Sequence, residues 1–222
     1  MNKKDKYFQE FFEKIRNDIS FISLKEGATI KFKDRIFKTD KELPVPVRVQ
    51  NLLKDIKKQN EMDGITLNNI IDGIIYIVGT DKSFGFLQDY ERMLKELNFD
   101  IKPYIVYCIN NFEENEYEDA VIYGKALVNT EEDEKSCFVY ASALESMGLK
   151  YAGEGSEKKG QYYLEEANIY YEKCLDYDDK FALAYYKLGF YYIRSSQYVK
   201  AELAWNKHQL TDDDTSRIDE IR

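Results

Sequence analysis

One histidine in 222 residues leaves little material for acid–base or nucleophilic catalysis. Ser-His-Asp and Cys-His chemistry would have to run through His208 itself, and no serine or cysteine is tied to it by a recognisable motif. Cysteine is also scarce. Cys108, Cys137 and Cys174 are odd in number and widely spaced, so they form neither a disulfide framework nor a C-x-x-C metal pair. They read as buried structural thiols in a reduced compartment. Long apolar runs are missing. The most apolar stretch, "IIDGIIYIVG" from Ile70 to Gly79, is too short to cross a bilayer and carries Asp72. The start, "MNKKDKYFQEFFEKIRNDIS", is charged throughout and has no apolar core or cleavage site of a signal peptide, so the expected location is cytoplasmic. Phosphate-cradling loops are absent as well: "GEGSEKKG" has glycines and lysines without P-loop spacing. The acidic clusters "NTEEDE" and "LTDDD" lack EF-hand spacing and read as solvated turns. No enzyme, cofactor or metal site is expected.

What the chain does have is a hydrophobic share of 44% with 33% charged residues, the composition of a folded globular protein. The net charge of −9 is uneven. Residues 1–60 hold 15 Lys and Arg against 9 Asp and Glu, while the rest holds 17 against 32. The acidic part disfavours phosphate contacts; the basic part leaves them open.

Helical periodicity is clearest near the C-terminus. In "AYYKLGFYYIRSSQYVKAELAWNKHQL", Tyr185, Leu188, Gly189 and Tyr192 fall at i, i+3, i+4 and i+7. After the turn-prone "RSSQ", Ala201, Ala204, Trp205 and His208 form a second face. Glycine inside a helix costs about 1 kcal/mol relative to alanine, so close packing of the two helices must recover it. The arrangement resembles a tetratricopeptide repeat, W-x2-L-G-x2-Y followed by A-x3-F and P. Tyr185 stands for the tryptophan, Trp205 for the phenylalanine and Asp213 for the closing proline; Leu188, Gly189, Tyr192 and Ala201 match.

The resemblance extends over residues 67–215 and is clearest at 182–215. Ala167, 34 residues before Ala201, marks a unit at 135–181 lengthened by the polar loop "LKYAGEGSEKKGQ". Residues 101–134 form a unit of regular length, and 67–100 a degenerate one. The expected fold is mostly α: an antiparallel helix-pair solenoid over 63–222 with a small α/β segment over 1–62. In that segment, 5–21 reads as an amphipathic helix with Tyr7, Phe8, Phe11, Phe12, Ile15 and Ile19 on one stripe. "ATIKFKDRIFKTD" reads as a β-hairpin, "LPVPVRV" as extended and "RVQNLLKDIKKQN" as helix.

The resemblance implies a non-enzymatic adaptor or scaffold that takes a peptide or amphipathic helix in a concave apolar groove. Carried over by position, that groove consists of Ile105, Val106, Ile109 and Phe112, then Val139, Tyr140, Ala143 and Met147, then Leu183, Tyr186, Lys187, Phe190 and Arg194. The Lys/Asn/Arg clamp of chaperone-binding members is not reproduced. Self-association through the N-terminal helix is a further expectation. The alternative is a nucleic-acid-associated regulator that uses the basic N-terminal segment.

Overall fold

The computed structural model describes residues 17–51, 66–112, 116–212 and 215–220, together with positions 7, 10, 11, 13 and 53. The chain is mostly helical with a small antiparallel β segment, and it divides into two compact units, Met1–Glu113 and Glu114–Arg222.

The first unit contains β1 (Ile19–Leu24), β2 (Thr29–Phe32), β3 (Arg35–Lys38) and β4 (Leu43–Arg48). β1 pairs antiparallel with β4 from Ile19↔Arg48 to Leu24↔Leu43, and the β2–β3 hairpin lies between them in sequence. Its two-residue turn at Lys33–Asp34 places Lys33 at φ 53°. Pro44 and Pro46 alternate along β4 with Val45 and Val47, so the missing N–H groups fall on the side that faces away from β1. The hairpin and the extended segment are as expected. The strand β1 is not, because the expected helix over 5–21 gives way at Ile19. The Arg48 guanidinium pins this change of course, donating to Asp18 Oδ2 at 2.9 Å and lying 3.9 Å over the Tyr76 ring. Of the expected stripe, Tyr7 is half-buried and Phe11 buried, while Phe8, Phe12 and Ile15 lie outside the described residues. So does most of the helix expected after Arg48, of which 49–51 and 53 are helical.

Among the described residues this unit also contains α1 (Leu67–Thr80), α2 (Leu87–Glu96) and α3 (Ile101–Asn111). Thr66 caps α1 by accepting from Asn69 N. The helix buries Ile70, Ile71, Ile74, Ile75 and Tyr76, and lies so close to β4 that a Cβ on Gly73 would overlap the Pro46 carbonyl. The helix pair expected over 67–100 is therefore corrected. Both helices form, but α1 packs on β4 and α2 on β3, rather than chiefly on each other. Tyr90 fixes α2 by donating to Pro44 O at 2.6 Å, and Arg92 forks onto Asp40 at 2.8 and 2.7 Å. The contacts of the β segment with α1 and α2 set the unit's limit near 113, where the sequence suggested 62.

The second unit is a run of helices: α4 (Tyr117–Thr130), α5 (Glu134–Gly153), α6 (Glu157–Tyr177), α7 (Ala182–Arg194), α8 (Tyr198–Thr211) and the short α9 (Thr215–Glu220). From α4 to α8 each packs on the next. One device recurs at three junctions. Gly124 receives Tyr140, Gly148 receives Leu164 and Gly189 receives Trp205, in each case sixteen positions further along the chain. A Cβ on Gly124 would stand 3.0 Å from Tyr140 Cα, and one on Gly148 would stand 2.9 Å from Leu164 Cγ. One on Gly189 would overlap the Trp205 indole, whose Nε1 donates to Tyr186 O at 3.3 Å. Absent side chains here admit large ones from the neighbouring helix, and burial offsets the propensity cost.

The register of the unit expected over 135–181 changes accordingly. Gly148 and Gly160 face each other across α5 and α6 with the twelve-residue spacing of Gly189 and Ala201, and they lie 41 residues earlier. The polar loop expected over 149–161 is almost entirely helix. α5 ends in a Schellman turn at Gly155 (φ 81°), with Ser156 N donating to Tyr151 O and Gly155 N to Ala152 O. The same pair of bonds closes α7 at Ser196 (φ 58°) and α2 at Asn98 (φ 51°).

Candidate functional site

The candidate site is the face shared by α5 and α7. α7 buries Ala184, Leu188 and Gly189 and leaves Leu183, Tyr186, Lys187 and Phe190 half-buried and Arg194 exposed. These five fall at i, i+3, i+4, i+7 and i+11, a single helical face. Tyr186 and Phe190 meet edge to face at 5.0 Å, and Phe190 is supported by Trp205 at 5.2 Å. Below Tyr186 lies His208, wholly buried, its Nδ1 3.1 Å from Ala182 O. The His208 Nε2 is 3.5 Å from Asp212 Oδ2, too long for a good hydrogen bond.

Glu145 joins the two helices. It sits on α5, buried, on a stripe otherwise made by Ala141, Leu144 and Gly148. Its Oε2 accepts from Lys187 Nζ at 2.7 Å and from the Tyr171 hydroxyl at 2.9 Å, and its Oε1 lies 3.3 Å from Arg194 Nη2. Burial pushes its carboxyl upward, but the Lys187 bond and charge, the Tyr171 hydroxyl and Arg194 outweigh it and hold the carboxyl below its ordinary range. Burial first, and then the Glu145 charge, drive the Tyr171 phenol the other way, and it stays protonated as a donor. Sequence reading took Lys187 and Arg194 as cations and missed Glu145. A carboxylate on an apolar helical stripe was the available signal.

The thirteen expected groove residues are divided between the two units, and four of them are buried. Ile105, Val106, Ile109 and Phe112 belong to the first unit, where Ile105 is buried, Val106 exposed and the other two half-buried. In the second unit Tyr140, Ala143 and Met147 are buried, and Val139 is half-buried. Ile105, Tyr140, Ala143 and Met147 are thus core residues rather than groove lining. Tyr140 shows why: it fills the space over Gly124 and packs edge-on against Tyr170 at 4.6 Å. The accessible part of the expected groove in this unit is Val139 together with the α7 face.

A short strap lies against that face. On α9, Glu220 accepts a hydrogen bond from the Tyr186 hydroxyl, and Arg217 donates to Asp212 at 2.7 and 3.2 Å. Burial, with Glu220 next, raises the Tyr186 phenol to about 12. Burial lifts Cys108 and Cys137 to about 11 and Cys174 further still, away from the thiolate form that reactivity requires. Among the described residues no group of three or more His, Cys, Asp or Glu is placed to hold a metal ion, and no helix is long and apolar enough to cross a membrane. Comparison with family models, curated proteins and solved structures finds no match.

Proposed function

We propose that residues 114–222 form a tetratricopeptide-like helical array that binds a peptide or amphipathic helix on the α5/α7 face, without catalysis. The observation that carries this reading is the division of α7 into two faces. One is buried and small (Ala184, Leu188, Gly189); the other keeps two aromatic rings, a leucine and two cations within reach of solvent. Tyrosine and arginine are residues that concentrate binding energy at interfaces. Aromatic anchors at i and i+4 beside a guanidinium suit an amphipathic helix with an acidic edge. Glu145 contributes by fixing Lys187 and Arg194, so little side-chain freedom is lost on binding.

Panning a random peptide display library on the full chain tests this. Enriched peptides should alternate apolar and acidic positions at helical spacing. Tyr186→Ser should weaken them at least tenfold while the far-UV circular dichroism stays unchanged. Enriched peptides that bind Tyr186→Ser as well as the parent protein would move the site off α7.

A further inference from the structure

α8 has a second apolar face, and it is exposed. Its inner side packs on α7 through Ala201, Ala204 and His208, all buried. On the opposite side Val199, Leu203 and Leu210 are 71%, 61% and 82% exposed. With Asn206 between them, the outward positions 199, 203, 206 and 210 follow the 4-3-4 spacing of a two-stranded helical seam. Glu202 and Lys207 are exposed on the two flanks of this stripe. Among the described residues neither side chain forms an ion pair within the chain.

We infer that a second copy of this chain covers this face, α8 lying parallel to α8 about a two-fold axis along the helices. Charge placement selects both the occupant and the direction. In a parallel seam the residue before one core position reaches the residue after the next core position of its neighbour, five places on. Glu202 of each copy then meets Lys207 of the other, and symmetry makes the contact twice. An antiparallel seam brings like flanks together and sets Lys200 near Lys207 of the second copy. Asn206 meets its own equivalent inside the seam, a polar pair that costs the seam strength.

The seam is short. Fourteen residues span about 21 Å, so the buried area falls below the roughly 800 Å² per partner of a stable interface. Association is accordingly weak and concentration-dependent. The face lies on α8, so it stands or falls independently of peptide binding on α7.

Sedimentation equilibrium of the full chain from micromolar to sub-millimolar concentration tests the inference. The weight-average mass should climb towards that of a dimer, and Leu203→Glu, at a position already exposed, should hold it at the monomer with an unchanged thermal midpoint. Glu202→Lys should raise the dissociation constant severalfold, and adding Lys207→Glu should bring it back. Leu210→Cys under mild oxidation should give a disulfide-linked dimer above the background from the native thiols. A wild-type chain that stays monomeric throughout, or a dimer indifferent to Leu203→Glu, overturns the proposal. Failure of Leu210→Cys to link with itself, together with ready linking between Val199→Cys and Leu210→Cys chains, overturns the parallel arrangement.

Discussion

Trp205 occupies the volume that any side chain on residue 189 would need, and its Nε1–H is directed at Tyr186 O. Gly189→Ala must therefore displace an indole that is also held by Phe190, and overpacking of this kind costs about 2–3 kcal/mol. The cost belongs to the pair. Trp205→Leu should destabilise the parent protein but relieve the Gly189→Ala chain, and a double-mutant cycle from thermal or urea melts should show strong non-additivity. Additive losses would mean that the indole does not fill this space. Glu145 offers a second test at the same scale. Its carboxyl titrates lower in the folded protein than in the unfolded chain, so its contribution is fully present above the unfolded value near 4.5 and is lost as the pH falls through the folded value. Glu145→Gln leaves Lys187 and Arg194 without a counter-charge; because both cations still reach solvent, the cost at neutral pH should be about 1–2 kcal/mol. The gap in thermal midpoint between parent and variant should narrow as the pH drops below 4.5. A gap independent of pH would assign the loss to packing alone.

Helix ends are where this chain departs most from its own local signals. Three helices close through the same left-handed turn, at Asn98, Gly155 and Ser196, and only Gly155 is a residue without a steric penalty there. Ser196→Gly keeps both closing hydrogen bonds and removes the strained Cβ. It should stabilise the protein by about 0.5–1 kcal/mol after allowance for the freer unfolded chain, as a raised urea midpoint with an unchanged slope. A neutral or lower midpoint would show that the serine side chain contributes more than its conformation costs. These turns also explain what could be read in advance. The α7/α8 pair was legible because Tyr185, Leu188, Gly189 and Ala201 sit at helical spacing around a four-residue break. The α5/α6 junction was not, since "LKYAGEGSEKKGQ" has the composition of a loop. Its helicity is supported by contacts across the junction that composition does not reveal: Gly148 facing Gly160, Tyr151 stacked on Tyr163 at 5.6 Å, and the Lys159 ammonium 3.8 Å over the Tyr151 ring. β1 escaped for the opposite reason. "ISFISL" continues the apolar spacing read in the preceding sequence, and pairing with β4 makes it strand. Position within the family resemblance placed Tyr140 and Met147 in a groove, though burial by neighbouring helices puts both in the core.

At the scale of the molecule, the two units make their own packing, and that separation has a thermodynamic consequence. In the first, β4 is gripped between β1 and α1, and Gly73 lies against the Pro46 carbonyl with no room for a methyl group. The obstacle is backbone, which cannot turn aside as a side chain can, so Gly73→Ala should cost the first unit about 3 kcal/mol or more. In the second, each helix from α4 to α8 rests chiefly on its sequence neighbours, so stability is passed along the array as in other stacked-helix folds. Scanning calorimetry of the full chain should consequently resolve two transitions. Gly73→Ala should lower the midpoint of one and leave the other in place, while Gly189→Ala should do the reverse. The assignment can be checked without either variant's calorimetric partner, because Trp205 is the only tryptophan and its fluorescence should follow the second transition alone. One transition that both substitutions shift together would show that the two units unfold as a single cooperative body. The contact-based division would then have no energetic counterpart.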